Sequence, residues 1–374
     1  MSETFWLGKN GQLRQGLATQ TGTVLMATLR DISRQLNLSV TQVSRALNGH
    51  SDVSADTRQR VVEMAKHLKY QPNLTARKLV MGKSGIVGLV LPRVPTILQD
   101  GLFVQIAGGL SSHFSRKGKQ FVLHIADETD DIIDVYRRLI DSGSLDGFVV
   151  LEPLIGDARV AYLRERKIPF VLHGRHQANP DYPFFDIDNE AVGYRLTRIL
   201  LDQGHRRIAF LNGHAGRAYV QQRQVGYLRA LTKAGVHPED SLHLCDDMTE
   251  AFGLMGMVRL LNDPSHMPTG IMCGNALIAK GVLHVLNTLN IPVPGQISVV
   301  AHDDELPDTR TAFFNPPLTV TYAPLENSWQ PLAEILTNAV DGLPIAALQR
   351  FGDVTLIARE SVRPPPPSDI VSKT

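Results

Sequence analysis

ATLRDISRQLNLSVTQVSRALNGHSDVSADTRQRVVEMAKHLKYQPNLTARKLVMGKSGIVGLVLP, residues 27–92, contains the change of pattern on which the fold turns. Thr28-Leu-Arg-Asp31 places a hydroxyl three residues ahead of an acid, the spacing of a capping box that opens a helix. Ile32 and Leu36 then fall on one helical face, and Asn37-Leu38 ends the helix after about two turns. Ser39-Val-Thr-Gln42 repeats the capping pattern, Val43, Ala46 and Leu47 form a second apolar face, and Asn48-Gly49 stops it. Ser54 suits the cap of a third helix in which Val61, Val62, Ala65 and Leu68 line up. Two short helices on a tight turn, followed by a supporting helix, predict a helix-turn-helix headpiece over 27–73. With Val43 and Leu47 turned inward, Val40, Thr41, Ser44 and Arg45 lie on the opposite side, open to a major groove. An arginine fork matches the two acceptors of guanine, while Ser44 and Asn48 suit phosphate oxygens. A small helical bundle with an ordinary polar surface satisfies the same spacing.

Beyond Gln71-Pro72-Asn73 the helical pattern breaks, and a short segment within 74–82 leads to Gly82. From Gly85 the period changes. Apolar runs at 86–92, 121–126, 147–152, 169–174, 207–213, 270–275 and 297–304 read as strands. Amphipathic stretches at 103–117, 132–141, 189–203, 220–234 and 276–289 read as helices between them. Repeated βα units predict doubly wound parallel sheets, and such sheets bind ligands at the carboxyl ends of their strands. Residues 85–361 provide enough chain for two lobes with a cleft.

Bulk properties agree with several domains, since 374 residues exceed the roughly 250–300 at which a single core stops growing. Hydrophobic residues at 43% and charged residues at 20% are ordinary for a globular chain. No apolar run reaches about 18 residues, and the first 25 residues do not have the form of a secretory signal, so a cytoplasmic protein without membrane spans is expected. Cys245 and Cys273 show no metal-type spacing and read as reduced thiols. Charge is uneven. Between Ala27 and Ser84 ten Lys and Arg face four acids, an excess of +6 in a chain of net +1, which leaves −5 elsewhere. A basic segment on a mildly acidic body points to a polyanion at one end. Residues 1–25 read as a disordered tail or a misplaced start ahead of Met26, and 362–374 as an extended proline-rich tail without heptads.

The 27–92 stretch resembles the lactose repressor (LacI/GalR) family, whose pattern includes VSR-LN, VS--TR and Y-PN--A--L in this order. Later pieces agree: IDNEAVG at 187–193, QGHRRIA at 203–209, RQVGY at 223–227, SVVAHDD at 298–304 and PPLTV at 316–320. The resemblance covers roughly residues 27–360. It implies an all-α helix-turn-helix headpiece joined to a two-lobed α/β body like that of periplasmic sugar-binding proteins. It implies a homodimer that binds pseudo-palindromic operator DNA and responds to a sugar-like effector held between the lobes. Val40, Thr41 and Arg45 then match base-reading positions, residues 74–82 a hinge helix, and Leu79 the leucine that wedges into the minor groove. Arg223, Asn275 and Asp303 match effector contacts, and Asp100 and Phe103 lie where the family lines its cleft. A carboxylate and an amide suit sugar hydroxyls, which donate and accept. Asp303 as a strand-end cap and Asn275 as a helix cap are the plainer alternatives.

The chain departs from the family in places. Gly174, flanked by His173 and Arg175, stands where an aspartate is common. Asn275-Ala276 replaces Asn-Asp, and no tryptophan occurs around 246–250. Arg175 either replaces a lost contact or pairs with an acid such as Asp186.

An enzyme is not expected, nor a cofactor or metal. No G-x-G-x-x-G follows a strand, and P-loop, H-E-x-x-H and G-x-S-x-G patterns are missing, while His173-x-x-His176 lacks a third ligand. A free sugar-binding protein would not need the headpiece. An activator differs from a repressor only in where its operator lies.

Overall fold

Three helices make the first unit. In the computed structural model, which describes residues 27–47, 52–70, 83–92, 101–263 and 267–367, they are α1 (Leu29–Leu36), α2 (Val40–Leu47) and α3 (Ala55–His67). Each begins on the side chain the sequence supplies. The Asp31 carboxylate accepts from the Thr28 N–H at 2.8 Å and from its hydroxyl at 2.7 Å. The Gln42 side-chain oxygen accepts from the Ser39 N–H at 3.0 Å, and Ser39 Oγ accepts from the Gln42 N–H at 3.1 Å. Ser54 accepts from the Thr57 N–H and starts α3. Helices of eight residues are marginal alone, so these caps and the shared core hold them. Asn37 closes α1 in the left-handed region at φ 53°, which its short polar side chain tolerates. Ile32, Val43, Ala46 and Val61 are fully buried, and Leu36, Leu47, Ala65 and Leu68 pack around them.

The boundary between the two compact units falls after Gly82. The second unit holds two six-stranded sheets. Its strands are β1 (Ile86–Pro92), β2 (Gln120–Ala126), β3 (Gly147–Leu151), β4 (Phe170–His173), β5 (Phe184–Ile187), β6 (Ile208–Asn212), β7 (His243–Cys245), β8 (Gly270–Cys273), β9 (Ser298–Asp303), β10 (Thr319–Tyr322), β11 (Gln349–Gly352) and β12 (Thr355–Ile357). Its helices are α4 (Leu102–Arg116), α5 (Ile132–Asp141), α6 (Ala158–Glu165), α7 (Asn189–Asp202), α8 (Ala218–Lys233), α9 (Glu250–Leu261), α10 (Ala276–Thr288) and α11 (Trp329–Val340). The first lobe has strand order β11-β5-β4-β3-β1-β2, all parallel. The second has order β12-β10-β9-β8-β6-β7, parallel except for β12.

Helices cover both faces of each sheet, which is why the central strands β3, β6, β8 and β9 are buried throughout. One face of the first sheet packs Leu89, Val149 and Val171 against α4 and α11, and the other packs Val90, Phe148 and Leu172 against α5 and α6. In the second sheet Leu211, Ile271 and Val299 meet α9 and α10, while Phe210, Met272 and Val300 meet α7 and α8. The chain crosses between lobes three times, from β5 into α7, from β10 into α11 and from β11 into β12.

Helices α7 and α8 touch backbone to backbone. A Cβ on Gly193 would sit 2.1 Å from the carbonyl oxygen of Arg223, and one on Gly226 would sit 2.0 Å from that of Glu190. This contact sets the height of α8 over the second sheet and thereby the position of Arg223.

Two findings differ from the sequence reading. The proline-rich tail is anchored where it begins: Val362 packs into the second lobe, the Arg363 N–H donates to Ser298 Oγ at 3.0 Å, and the Arg363 carbonyl faces His205 Nε2 at 2.9 Å. Strands β5, β7, β10, β11 and β12 and helices α6, α9 and α11 are additional to the expected elements. The missed strands carry polar residues such as Asp186, His243, Thr319, Arg350 and Thr355, so they lack the apolar run that marks the equally short β4 and β8. Residues 1–25, Asn48, the hinge segment with Leu79, Asp100 and residues 368–374 lie outside the described residues.

Gly226→Ala is expected to cost about 1–3 kcal/mol by overpacking the α7–α8 contact. Gly108→Ala, on α4 where an added Cβ meets nothing within 4 Å, should be neutral or stabilising by up to about 1 kcal/mol. Equal melting temperatures for the two variants would show that the close approach is not a constraint.

Candidate functional site

Two surfaces combine side chains that the core does not require. The first is on α2. Burying Val43 and Ala46 turns Val40, Thr41 and Arg45 outward, and Val40 retains 40% of its exposure although it is apolar. Ser44 is half-buried beside them. Arg45 is engaged: its Nε donates to Asp52 Oδ1 at 3.2 Å, and its Nη2 lies 2.6 Å from Asp52 Oδ2.

The second surface lies where the strand ends of the two lobes face each other. Arg223, on α8, is 5% exposed. Its Nε donates to Asn189 Oδ1 at 2.9 Å, its Nη1 donates to the Gly274 carbonyl at 2.5 Å, and its guanidinium lies over the Tyr219 ring, 5.2 Å from the centroid. Asn189 in turn donates to Asp186 Oδ1 at 3.1 Å. Asp186 Oδ2 accepts from Arg175 Nε at 3.0 Å. The chain Arg175–Asp186–Asn189–Arg223 thus runs from the end of the first sheet, through the first crossing, into the second lobe. Burial pushes the Asp186 carboxyl up to about 7, against the pull of the Arg175 guanidinium. Of the two readings of Arg175, the structure shows the pairing with Asp186. The same guanidinium lies 4.8 Å from the centroid of the Phe351 ring.

Asn275 is the N-cap of α10, with its side chain accepting from the Ile278 N–H and its Nδ2 donating to the Met248 carbonyl at 3.2 Å. Asp303, at the end of β9, accepts from the Glu305 N–H at 2.9 Å and from the Thr311 hydroxyl. Both are buried and shape their own turns. Phe103 sits in the first turn of α4, partly buried against the first-lobe core.

Sequence reasoning passed over two residues here. Asp304 Oδ1 is buried and has no hydrogen-bond partner among the described residues, and burial raises its carboxyl to about 6 while Arg223 draws it down. Gln222 donates from Nε2 to the Arg175 carbonyl at 2.7 Å, across the lobes, and leaves a buried Oε1 without a partner among the described residues. Buried acceptors without donors are costly, and a bound donor relieves them. The doublet Asp303-Asp304 carries no signal of which member turns inward. Around the cleft the lobes are tied directly: Arg217 Nη1 lies 3.0 Å from Glu152 Oε2, and the Ala218 N–H donates to the Pro153 carbonyl at 3.0 Å. His173 faces Ser328 Oγ at 3.1 Å, and burial pushes its imidazole down to about 4, which keeps it neutral.

Both compact units are similar to known proteins. Residues 28–73 match the bacterial regulatory proteins of the lacI family, and residues 197–362 match the periplasmic binding protein-like domain. The HTH-type transcriptional regulator AglR of Rhizobium meliloti (strain 1021) is 34% identical over 339 residues, covering 90% of this chain and 95% of that one. A complex of the transcriptional regulator CelR with cellobiose superposes with a TM-score of 0.65 at 27% identity, over 90% of this chain and all of the other. The lac repressor dimer bound to operator and the anti-inducer ONPF shares the fold, with a TM-score of 0.72 at 22% identity over 90% of this chain and 99% of the other. Among the described residues no helix is long and apolar enough to cross a membrane.

The raised Asp304 carboxyl has a consequence for stability. Its folded value of about 6 lies above the ordinary 3.8, so the folded chain holds the proton more tightly than the unfolded one. The resulting stability is fully present below about 3.8 and is lost as pH rises through about 6. Asp304→Asn should therefore melt above the wild type at pH 8, with the gap shrinking toward pH 4. A gap independent of pH would rule out burial of this carboxyl as the cause.

Proposed function

The chain belongs to the lacI family of bacterial regulatory proteins, as a DNA-binding transcriptional regulator and not an enzyme, and on that premise we propose that it is a cytoplasmic repressor of carbohydrate-metabolism genes whose grip on its operator is set by a sugar-like effector. The observation that carries the DNA reading is α2, which buries Val43 and Ala46 and presents Val40, Thr41 and Arg45 on one exposed face. Arg45 reads a guanine through two N–H groups, Val40 and Thr41 contact neighbouring base edges, and Ser44 and Asn48 hold phosphates and fix the register. Two headpieces of a homodimer read the halves of a pseudo-palindrome. Residues 74–82 serve as the hinge and Leu79 as the wedge that opens a base step from the minor groove.

The effector sits between the lobes. Arg223 and Asp304 meet it as donor and acceptor, with Asn275, Asp303, Phe103, Arg175 and Asp100 shaping the wall. A hydroxyl both donates and accepts, so a polyhydroxylated ligand satisfies a guanidinium and an orphaned carboxylate together. The cellobiose in the CelR complex supports this class. The ligand changes DNA affinity only as far as it favours one arrangement of the lobes over the other.

Fragmented genomic DNA of the source organism, retained on the purified protein and sequenced, is expected to yield a pseudo-palindrome beside sugar transport or catabolic genes. Arg45→Ala should lose roughly 1–3 kcal/mol at that site and relax one base position in each half. No enriched sequence, with or without added sugars, would overturn the reading.

A further inference from the structure

We propose that Asp52 is a positioning residue that sets the base selectivity of Arg45, an inference that rests on Arg45 being the guanine reader. The two side chains meet at two points, Nε to Oδ1 at 3.2 Å and Nη2 to Oδ2 at 2.6 Å. The carboxylate thereby occupies the side edge of the guanidinium, formed by Nε and one hydrogen of Nη2. The end edge, Nη1 with the second hydrogen of Nη2, is left to present two parallel donors. Guanine offers two acceptors, O6 and N7, at the spacing of such an edge.

The pair has no stabilising task that would account for it. Both side chains are about half exposed, at 46% and 53%, and exposed ion pairs add little to stability. The cap of α3 is Ser54, so that task does not fall to Asp52. The other headpiece acids act locally: Asp31 in the capping box of α1, Asp56 one turn from Arg60 on α3, and Glu63 accepting from Gln59. Asp52 instead touches a side chain on the outward face of α2.

An unclamped arginine has many rotamers and swings readily to a phosphate. A carboxylate on its side edge removes most of that freedom before binding, so less is lost when the guanine contact forms. It also repels phosphate oxygens, which lowers sequence-independent affinity. Both effects raise the ratio of specific to non-specific binding. Asp52 acts through Arg45 and does not itself read a base.

The test uses the full-length protein and a duplex library with a randomised operator-length insert, selected in parallel at fixed salt with wild type, Asp52→Asn, Asp56→Asn and Arg45→Ala. Circular dichroism melts of each variant verify that it is folded. In the wild type each half-site should carry a guanine that Arg45→Ala no longer prefers. Asp52→Asn should weaken that one preference roughly fivefold or more, and should bind random duplex as well as or better than the wild type. Asp56→Asn removes the same charge and should leave the guanine preference intact. The proposal is overturned if Asp52→Asn keeps the wild-type preference, or if Asp56→Asn erodes it equally. If Arg45→Ala relaxes no base position, the underlying assignment of Arg45 fails, and this outcome is separate from a failure of Asp52 alone.

Discussion

The body is arranged around a guanidinium that has been taken out of water. Arg223 is buried under α8, and a charge in such a place persists only if fixed partners replace its hydration. Those partners come from far apart in the chain: Asn189 at the start of α7, the carbonyl of Gly274 after β8, the Tyr219 ring, and at longer range the carboxylates of Asp186 and Asp304. Two glycines let α7 and α8 approach closely enough for Asn189 to reach Arg223. Asp186, at the first crossing between lobes, extends the network to Arg175. A charge network that is satisfied only when both lobes are in place couples their arrangement to whatever occupies the space between them. That gives a ligand a physical means of biasing a two-state body.

The headpiece follows a different principle. It draws its order from three capping side chains and four fully buried apolar residues. Its two eight-residue helices leave one outward face that the core does not need. The ten cations between Ala27 and Ser84 make this end of the chain basic while the body is mildly acidic. A surface freed from packing can be devoted to recognition, and the contact with Asp52 holds one of its side chains, Arg45, in place.

Much of this was legible in the residues alone. Caps at Thr28, Ser39 and Ser54, and the apolar spacing after each, mark the starts of α1, α2 and α3. Capping is local chemistry between residues three apart, so no tertiary information is needed to see it. The central strands were visible because burial on both faces demands unbroken apolar runs such as GFVVL and IAFLN. Strands β5, β7, β10, β11 and β12 were not visible, since polar residues such as Asp186, His243, Thr319, Arg350 and Thr355 interrupt the apolar run that marked the equally short β4 and β8. Helix α9, with its mixed apolar surface, was also missed.

The cleft divides the same way. The sequence by itself determined the headpiece, the βα body, the family pattern and the identity of Arg223, because these depend on local spacing and on motifs. Only the tertiary structure decided how the polar residues are used: that Arg175 pairs with Asp186, that Asn275 and Asp303 are engaged in their own turns, and that Asp304 and Gln222 keep buried oxygens without partners among the described residues. Satisfaction of a buried polar atom depends on groups brought together across 11 to 47 residues, as with Arg175 and Asp186 or Gln222 and Arg175. No local pattern records which donor will arrive, so the accounting closes only once the chain has folded.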